Sequence, residues 1–148
     1  MVAVLSAVMS LGVVASAGAW NPLGCKFNTT TPRHLIATNS PVSDLSGAVS
    51  SWNSVQSDVT LTAGSVSNYD MVLSSSNFGN TGWSGLTYKN GDITVGPACT
   101  SGKWVKGSPA SSVNTYYNSS SSANRKGVAI HELGHALGLD HNNSTSTA

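Results

Sequence analysis

Hydrophobic residues recur at intervals of three or four along one segment of the chain, and this spacing predicts an amphipathic helix over Val42–Ser54. Pro41 suits its start, because the first turn of a helix has no use for the amide hydrogen that proline lacks. Two β-prone runs flank this helix, His34–Ala37 before it and Val59–Thr62 after it, and a third follows at Tyr69–Ser74. Strand, helix and strand in this order predict a right-handed crossover on a partly parallel sheet.

The middle of the chain is rich in glycine, serine and asparagine, and its β-prone runs are short. The dipeptide Asn90-Gly91 separates Leu86–Tyr88 from Ile93–Val95, an arrangement that predicts a β-hairpin. Val113–Tyr117 predicts a further strand. The serine run Ser119–Ser122 is either a linker or the N-cap of a helix, because helical periodicity begins directly after it.

The N-terminus carries a long apolar run, which predicts a cleaved export signal over residues 1–19. The stretch Val2–Val14 suits a signal-peptide hydrophobic region, and small residues with A-x-A spacing place cleavage after Ala17 or Ala19. A membrane anchor is the alternative, but the run is rich in serine, glycine and alanine and is shorter than the roughly 20 apolar residues of a spanning helix. We therefore expect a secreted protein with no stable membrane association after signal cleavage.

Composition narrows the classes of function. The chain has 148 residues and a formal net charge of +1, with 7 basic and 6 acidic side chains. This balance provides no basic surface for DNA or RNA, so that no nucleic-acid partner is expected. The hydrophobic fraction of 39% argues against a disordered chain, and the length suits one domain, which we place at residues 20–148.

The two cysteines, Cys25 and Cys99, are expected to form one disulfide in the oxidising environment outside the cell. Such a bond would close a long loop and stabilise the fold by roughly 3–4.5 kcal/mol in the chain-entropy view. Two free thiols are a weaker alternative. A zinc site built on these cysteines is weaker still, because the sequence has no C-x-x-C pair.

The residues that carry chemistry lie near the C-terminus, where residues 131–141 read HELGHALGLDH and contain the pattern H-E-x-x-H-x-x-G-x-x-H. On a helix, His131 and His135 lie four residues apart on one face, a spacing that suits two nitrogen ligands of a tetrahedral zinc ion. Gly138 can end the helix in a left-handed conformation, which lets the chain turn back so that His141 becomes the third ligand. Glu132 stands beside the remaining, open position.

Three imidazoles and one water form the kind of zinc site that is catalytic rather than structural. Zinc lowers the pKa of its water towards about 7, and Glu132 is expected to accept the proton and pass it to the leaving amine. Three of the 4 histidines of the chain fall within this one motif. A chance match to all five fixed positions is expected in roughly one chain of this length in 10⁵, which disfavours an incidental surface helix.

The motif resembles the zinc-binding consensus of the metzincin metalloproteases and is most similar to the matrixin branch. The resemblance extends weakly over about residues 33–141. It implies a zincin-like α+β fold, in which a twisted, mainly parallel sheet with one antiparallel edge strand packs on two helices, one of them the active-site helix. It also implies one catalytic Zn²⁺, held by His131, His135 and His141, with Glu132 as the general base.

The same resemblance makes Leu86–Tyr88 the edge strand that pairs with the backbone of a protein or peptide substrate. It is incomplete after the third histidine, because metzincins have a Met-turn there, whereas Asn142–Ala148 contains no methionine. We therefore expect a catalytic domain truncated after the motif.

Other matrixin features are weaker in this sequence. The surroundings of Cys25 do not match a cysteine switch, and His34 alone is left to build a second, structural zinc site, so neither is expected. Calcium binding stays open, although the aspartates that could contribute show no EF-hand spacing. These are Asp44, Asp58, Asp70 and Asp92.

The leading prediction is a monomeric, secreted zinc endopeptidase that hydrolyses proteins or peptides. The first alternative is a truncated pseudoprotease that binds zinc or peptide without cleaving it. The second is a serine-rich adhesion or structural domain in which the motif is incidental.

Overall fold

The computed structural model describes residues 21–37, 40–55 and 58–141, so that the predicted signal peptide lies outside the described residues. None of the described helices combines the length and hydrophobicity needed to cross a lipid bilayer. The helices are α1 (Val42–Ser54), α2 (Thr115–Asn118) and α3 (Ser122–Ala136), and the strands are β1 (Asn21–Pro22), β2 (Arg33–Ile36), β3 (Thr62–Ala63), β4 (Met71–Ser76), β5 (Gly85–Lys89), β6 (Cys99–Thr100), β7 (Lys103–Trp104), β8 (Pro109–Asn114) and β9 (Leu139–Asp140).

The main sheet has the strand order β3-β2-β4-β8-β5. Strands β3, β2, β4 and β8 pair in parallel, whereas β5 pairs antiparallel with β8 at the edge. Helices α1 and α3 pack against each other and against this sheet. The predicted α+β fold, with a mainly parallel sheet and an antiparallel edge strand, is confirmed.

Helix α1 spans the predicted residues and buries one face. Leu45, Ala48 and Val49 are buried, and the indole Nε1 of Trp52 donates a hydrogen bond of 2.9 Å to the main-chain oxygen of Ile130 in α3. The middle of the face that the three-and-four spacing predicts is therefore buried, whereas Val42 and Val55, at the two ends of the pattern, are exposed. The packing of α1 on α3 fixes the position of the helix that carries the histidine motif.

Helix α3 divides its faces between the core and a cleft. Ala129, Leu133 and Ala136 are buried in the hydrophobic core, one above the other at intervals of four and three residues. Core packing on this face leaves the neighbouring face of the helix, with His131 and His135, available for a site.

The predicted hairpin between Leu86–Tyr88 and Ile93–Val95 is wrong in its second strand. Leu86–Tyr88 lies in β5, which pairs with β8, whereas residues 91–95 form a turn and a bend with one isolated bridge, between Lys89 and Asp92. The main-chain amide and hydroxyl of Thr94 both donate to the carboxylate of Asp92, at 3.1 and 2.6 Å, and these bonds hold the turn. The sheet offers β5 a longer and fully buried partner, so the local hairpin signal does not decide the pairing.

The predicted strand over Val113–Tyr117 is displaced towards the N-terminus. Strand β8 ends at Asn114, and helix α2 follows it directly. The buried Asn114 side chain accepts a hydrogen bond of 3.1 Å from the amide of Tyr116, which caps the helix. Because Asn114 caps α2, strand β8 ends at this residue, and the β-prone Tyr116 and Tyr117 lie in the helix.

The predicted strand over Val59–Thr62 contributes only its last residue to β3. The side chain of Asn53 accepts from the amide of Leu61 at 2.9 Å and donates to its carbonyl at 2.8 Å. Both main-chain groups of Leu61 are therefore used by a side chain of α1, and ladder pairing begins one residue later.

The N-terminal segment lies beside the end of α3. Strand β1 pairs antiparallel with β9, and the amide of Leu23 donates to the carbonyl of Gly138 at 2.8 Å. The predicted disulfide between Cys25 and Cys99 is present, with a Cα–Cα distance of 6.2 Å. The disulfide joins the N-terminal segment to β6. The pairing of β1 with β9 places the same segment beside the residues that follow Gly138 in the histidine motif.

A buried ion pair joins α1 to the first turn of α3, and we expect Asp44→Asn to destabilise the fold by about 2 kcal/mol. Asp44 accepts hydrogen bonds from the hydroxyl of Ser122 and, at 2.5 Å, from Nε of Arg125. The Ser122 hydroxyl and the Arg125 guanidinium hold the pKa of Asp44 below its ordinary value of 3.8. Urea unfolding at pH 7 measures the loss, and Asp58→Asn, at an exposed aspartate, is the matched control.

The sign of the pH dependence follows from this lowered pKa. The contribution of Asp44 is present above the pKa of the unfolded carboxyl and is lost as the pH falls through the lower pKa of the folded state. The difference in unfolding free energy between the wild type and Asp44→Asn should therefore shrink below about pH 4. Equal stability of the two proteins at pH 7 would contradict the role of the ion pair.

Candidate metal centre

The helix that carries the motif has a defined start and end. Ser121 caps α3 by accepting a hydrogen bond of 3.2 Å from the amide of Asn124, so the serine run supplies an N-cap. After Ala136, Gly138 adopts a left-handed conformation with φ of 96°, and its amide donates to the carbonyl of His135 at 2.9 Å. A Cβ at Gly138 would also overlap the carbonyl oxygen of Cys25. The chain can turn back at this point only with glycine.

The turn at Gly138 brings the three histidines of the motif together. The Nε2 atoms lie 3.0 Å apart between His131 and His141, 3.1 Å apart between His131 and His135, and 3.2 Å apart between His135 and His141. A tetrahedral zinc ion with Zn–N bonds of about 2.0–2.1 Å needs nitrogens about 3.3 Å apart. The three side chains therefore fit a zinc ion, and they form the group of potential metal ligands found among residues 21–37, 40–55 and 58–141.

Groups around the cluster determine which nitrogen of His135 carries a hydrogen and lower the pKa of His131. Nδ1 of His135 lies 2.7 Å from the carbonyl oxygen of Leu139. Because a carbonyl only accepts, Nδ1 carries the hydrogen there and the lone pair is on Nε2, which points at the other two rings. Burial, together with the neighbouring His135 and His141, lowers the pKa of His131. A lowered pKa favours the neutral form, which is the form that binds metal.

Glu132 is buried, with 5% of its surface exposed, and lines the same cleft as the three histidines. Its carboxylate Oε2 accepts a hydrogen bond of 2.8 Å from the hydroxyl of Thr87 in β5. Burial raises the pKa of Glu132, whereas the Thr87 hydrogen bond and the nearby His135 and His141 oppose this rise. A carboxylate in this setting can exchange a proton with a group in the cleft.

The cleft in front of the cluster has a volume of about 530 Å³. One wall is the edge strand β5 with the preceding Ser84, and the histidines and Glu132 line the cleft as well. Leu23, Pro97 and Trp104 extend the lining with apolar surface. The sequence interpretation placed the edge strand here but gave no role to Leu23 or Trp104, because their approach depends on the N-terminal segment and the disulfide.

Three of the four aspartates considered for calcium form ion pairs or hydrogen bonds with other protein groups. Asp44 pairs with Arg125, and Asp70 pairs with Nε of Arg33 at 3.0 Å. The third, Asp92, accepts from Thr94.

Strand β5 approaches α3 so closely that we expect Gly85→Ala to destabilise the fold by about 1–3 kcal/mol. A Cβ at Gly85 would lie 2.5 Å from Cγ1 of Val128 and 2.7 Å from Cγ and Oε1 of Glu132. Either the strand or the Glu132 side chain must move. The measurement is the free energy of unfolding, together with the melting temperature.

Gly127→Ala is the matched control for this substitution. Gly127 lies in α3, and no heavy atom would come within 4 Å of a Cβ there. Alanine in the interior of a helix stabilises by about 0.5–1 kcal/mol relative to glycine. Equal stability of the Gly85→Ala protein and the wild type would show that β5 has room to move at no cost.

The comparison with known families agrees with this geometry. The sequence model of the matrixin family matches residues 20–148. No curated protein matches the chain at a significant level.

Proposed function

Because the chain belongs to the matrixin family, a family of zinc metalloproteases, we propose that it is a secreted zinc-dependent endopeptidase. The observation that carries the proposal is the convergence of three imidazole Nε2 atoms within 3.2 Å beside a buried carboxylate. We assign His131, His135 and His141 as the zinc ligands and Glu132 as the general base.

The ligands are held by different parts of the chain. His131 and His135 project from α3, and the Nδ1–H of His135 donates to the Leu139 carbonyl, which fixes the ring. His141 follows β9, and its amide donates to the carboxylate of Asp140 at 2.7 Å. When bound, zinc supplies Lewis-acid activation of a water molecule and of the substrate carbonyl.

Glu132 performs the proton transfers in this proposal. Its carboxylate accepts a proton from the attacking water and then delivers it to the amine that leaves when the peptide bond breaks. Burial raises the pKa of Glu132, so that its protonated form is more stable than it would be in water. The group can therefore return the proton as well as take it.

The edge strand supports a peptide as substrate. Strand β5 pairs with β8 on one side, and Leu86 and Thr87 of the predicted edge segment Leu86–Tyr88 line the cleft with the histidines. An extended peptide can add to such an edge through main-chain hydrogen bonds, which bind the backbone whatever its sequence. We propose that this pairing presents the scissile bond to Glu132.

Secretion rests on two observations of different kinds. The family match begins at residue 20, directly after Ala19, the second of the two predicted cleavage positions. The disulfide between Cys25 and Cys99 suits an oxidising compartment. We propose residues 1–19 as the signal peptide, residues 20–148 as the catalytic domain, and a monomer as the secreted form.

The test combines metal analysis with a protease assay on the purified chain. We expect one zinc per chain and hydrolysis of casein or a quenched fluorescent peptide, both removed by a chelator and restored by zinc. Zinc binding without hydrolysis would favour the peptide-binding pseudoprotease instead. A chain that binds no zinc would contradict the proposal.

A further inference from the structure

A threonine of the edge strand contacts the proposed general base. The hydroxyl oxygen of Thr87, at the centre of β5, lies 2.8 Å from Oε2 of Glu132 and 2.9 Å from the main-chain oxygen of the same residue. A hydroxyl has one hydrogen, so it can fully satisfy only one of these two acceptors. The partners around Thr87 indicate which one.

Ser111 in β8 places a second hydroxyl beside Thr87 and Glu132. It lies opposite Thr87 in the ladder, and its Oγ is 3.1 Å from the main-chain oxygen of Glu132 and 3.0 Å from the Thr87 hydroxyl. If Ser111 donates to the main-chain oxygen, the Thr87 hydrogen is available for the carboxylate. An ionised carboxylate is the stronger acceptor, which favours this arrangement.

Gly85 restricts Glu132 from the same strand. Residues 85 and 87 are two apart and therefore face the same side of β5, towards α3. A Cβ at position 85 would lie 2.7 Å from Cγ and Oε1 of Glu132, so the strand backbone closes this direction. The side chain is thus confined on one side by Gly85 and bound on the other by Thr87.

We propose that Thr87 is a positioning residue that holds the Glu132 carboxylate through Oε2, in the one orientation that Gly85 leaves open. This inference rests on the proposed function, because it concerns the proton transfer assigned to Glu132. Without the hydroxyl, the buried carboxylate has lost the side-chain donor that fixes it and can turn away from the reacting atoms.

The test compares Thr87→Val, which keeps the shape of the side chain but not its hydroxyl, with Thr87→Ser, which keeps the hydroxyl. Crystal structures of the metal-free proteins report the Glu132 side chain without any need for activity. We expect the wild-type carboxylate position in Thr87→Ser, and a displaced carboxylate or several rotamers in Thr87→Val. An unmoved Glu132 in Thr87→Val would overturn the inference.

Kinetics provide the second measurement. We expect Thr87→Val to lower kcat by about 10- to 100-fold, with KM and zinc content unchanged, and Thr87→Ser to restore kcat. Thr94→Val is the matched control, because it removes the hydroxyl of an exposed threonine that donates to Asp92 at 2.6 Å, outside the cleft. A rise in KM with unchanged kcat would assign Thr87 to substrate binding and contradict the positioning role.

The two proposals can fail separately. A wild-type chain that binds zinc but hydrolyses no peptide would contradict the proposed function, and the crystal comparison would still decide whether Thr87 holds Glu132. Hydrolysis that is equal in the wild type, Thr87→Val and Thr87→Ser would contradict the positioning role alone.

Discussion

Replacing Glu132 with alanine is expected to abolish measurable peptide hydrolysis while the protein keeps its zinc. The three imidazole Nε2 atoms form a cluster without any atom of Glu132, so removal of this carboxylate leaves the metal ligands in place. General acid–base catalysis contributes typically about 10²- to 10⁴-fold, and we expect kcat to fall by at least this factor. The measurements are kcat with a quenched fluorescent peptide and the zinc content by mass spectrometry.

Glu132→Gln is the control that separates charge from packing. Glutamine keeps the volume and can still accept from Thr87, but it cannot take a proton at neutral pH. Both substitutions should therefore be equally inactive, although only alanine leaves a cavity beside Gly85. Loss of zinc from the Glu132→Ala protein would show that this residue is a ligand, and the assignment of roles would be wrong.

The histidine motif could be interpreted from the sequence because its spacing is local. His131 and His135 lie one helical turn apart on any helix, and a glycine three residues after His135 can end that helix. The structure places Gly138 with φ of 96° at this point, and the imidazole of His141 comes back to within 3.2 Å of the others. Periodicity and one turn residue are enough to bring these groups together.

The hairpin prediction failed because strand pairing is not local. The Asn90-Gly91 dipeptide favours a turn, and a turn does form there, with the Lys89 amide donating to the Val95 carbonyl at 2.8 Å, but Ile93–Val95 does not become a strand. The sheet instead pairs β5 with β8, which lies about twenty residues further along the chain and has six buried residues. Sequence alone indicates that β5 is β-prone, not which strand of the sheet it joins.

The side chains around Glu132 were missed for the same reason. Thr87 and Ser111 become neighbours only when β5 and β8 pair, and both then meet α3 through tertiary packing. A threonine in a β-prone run is an ordinary strand residue by composition. The close approach of Gly85 to Glu132 has no signal in the sequence beyond the glycine itself.

The second large effect is expected for His135→Ala, which should lower the zinc affinity by at least about 100-fold, since loss of contacts to the ligands alone costs 10- to 100-fold. Nε2 of His135 lies 3.1 and 3.2 Å from those of its two partners, and its Nδ1 is tied to the carbonyl of Leu139. Both ring nitrogens of His135 therefore have a defined neighbour. Without it, two imidazoles remain for a metal that prefers four-coordinate sites.

Titration calorimetry and the thermal shift on adding zinc measure this loss. A ligand that binds the folded state raises the melting temperature by mass action, so that zinc should stabilise the wild type and have little effect on His135→Ala. His34→Ala is the matched control, because His34 lies on β2, outside the cluster. An unchanged zinc affinity in His135→Ala would place the metal elsewhere. Together with Glu132→Ala, which should keep zinc and lose hydrolysis, this variant separates metal binding from proton transfer.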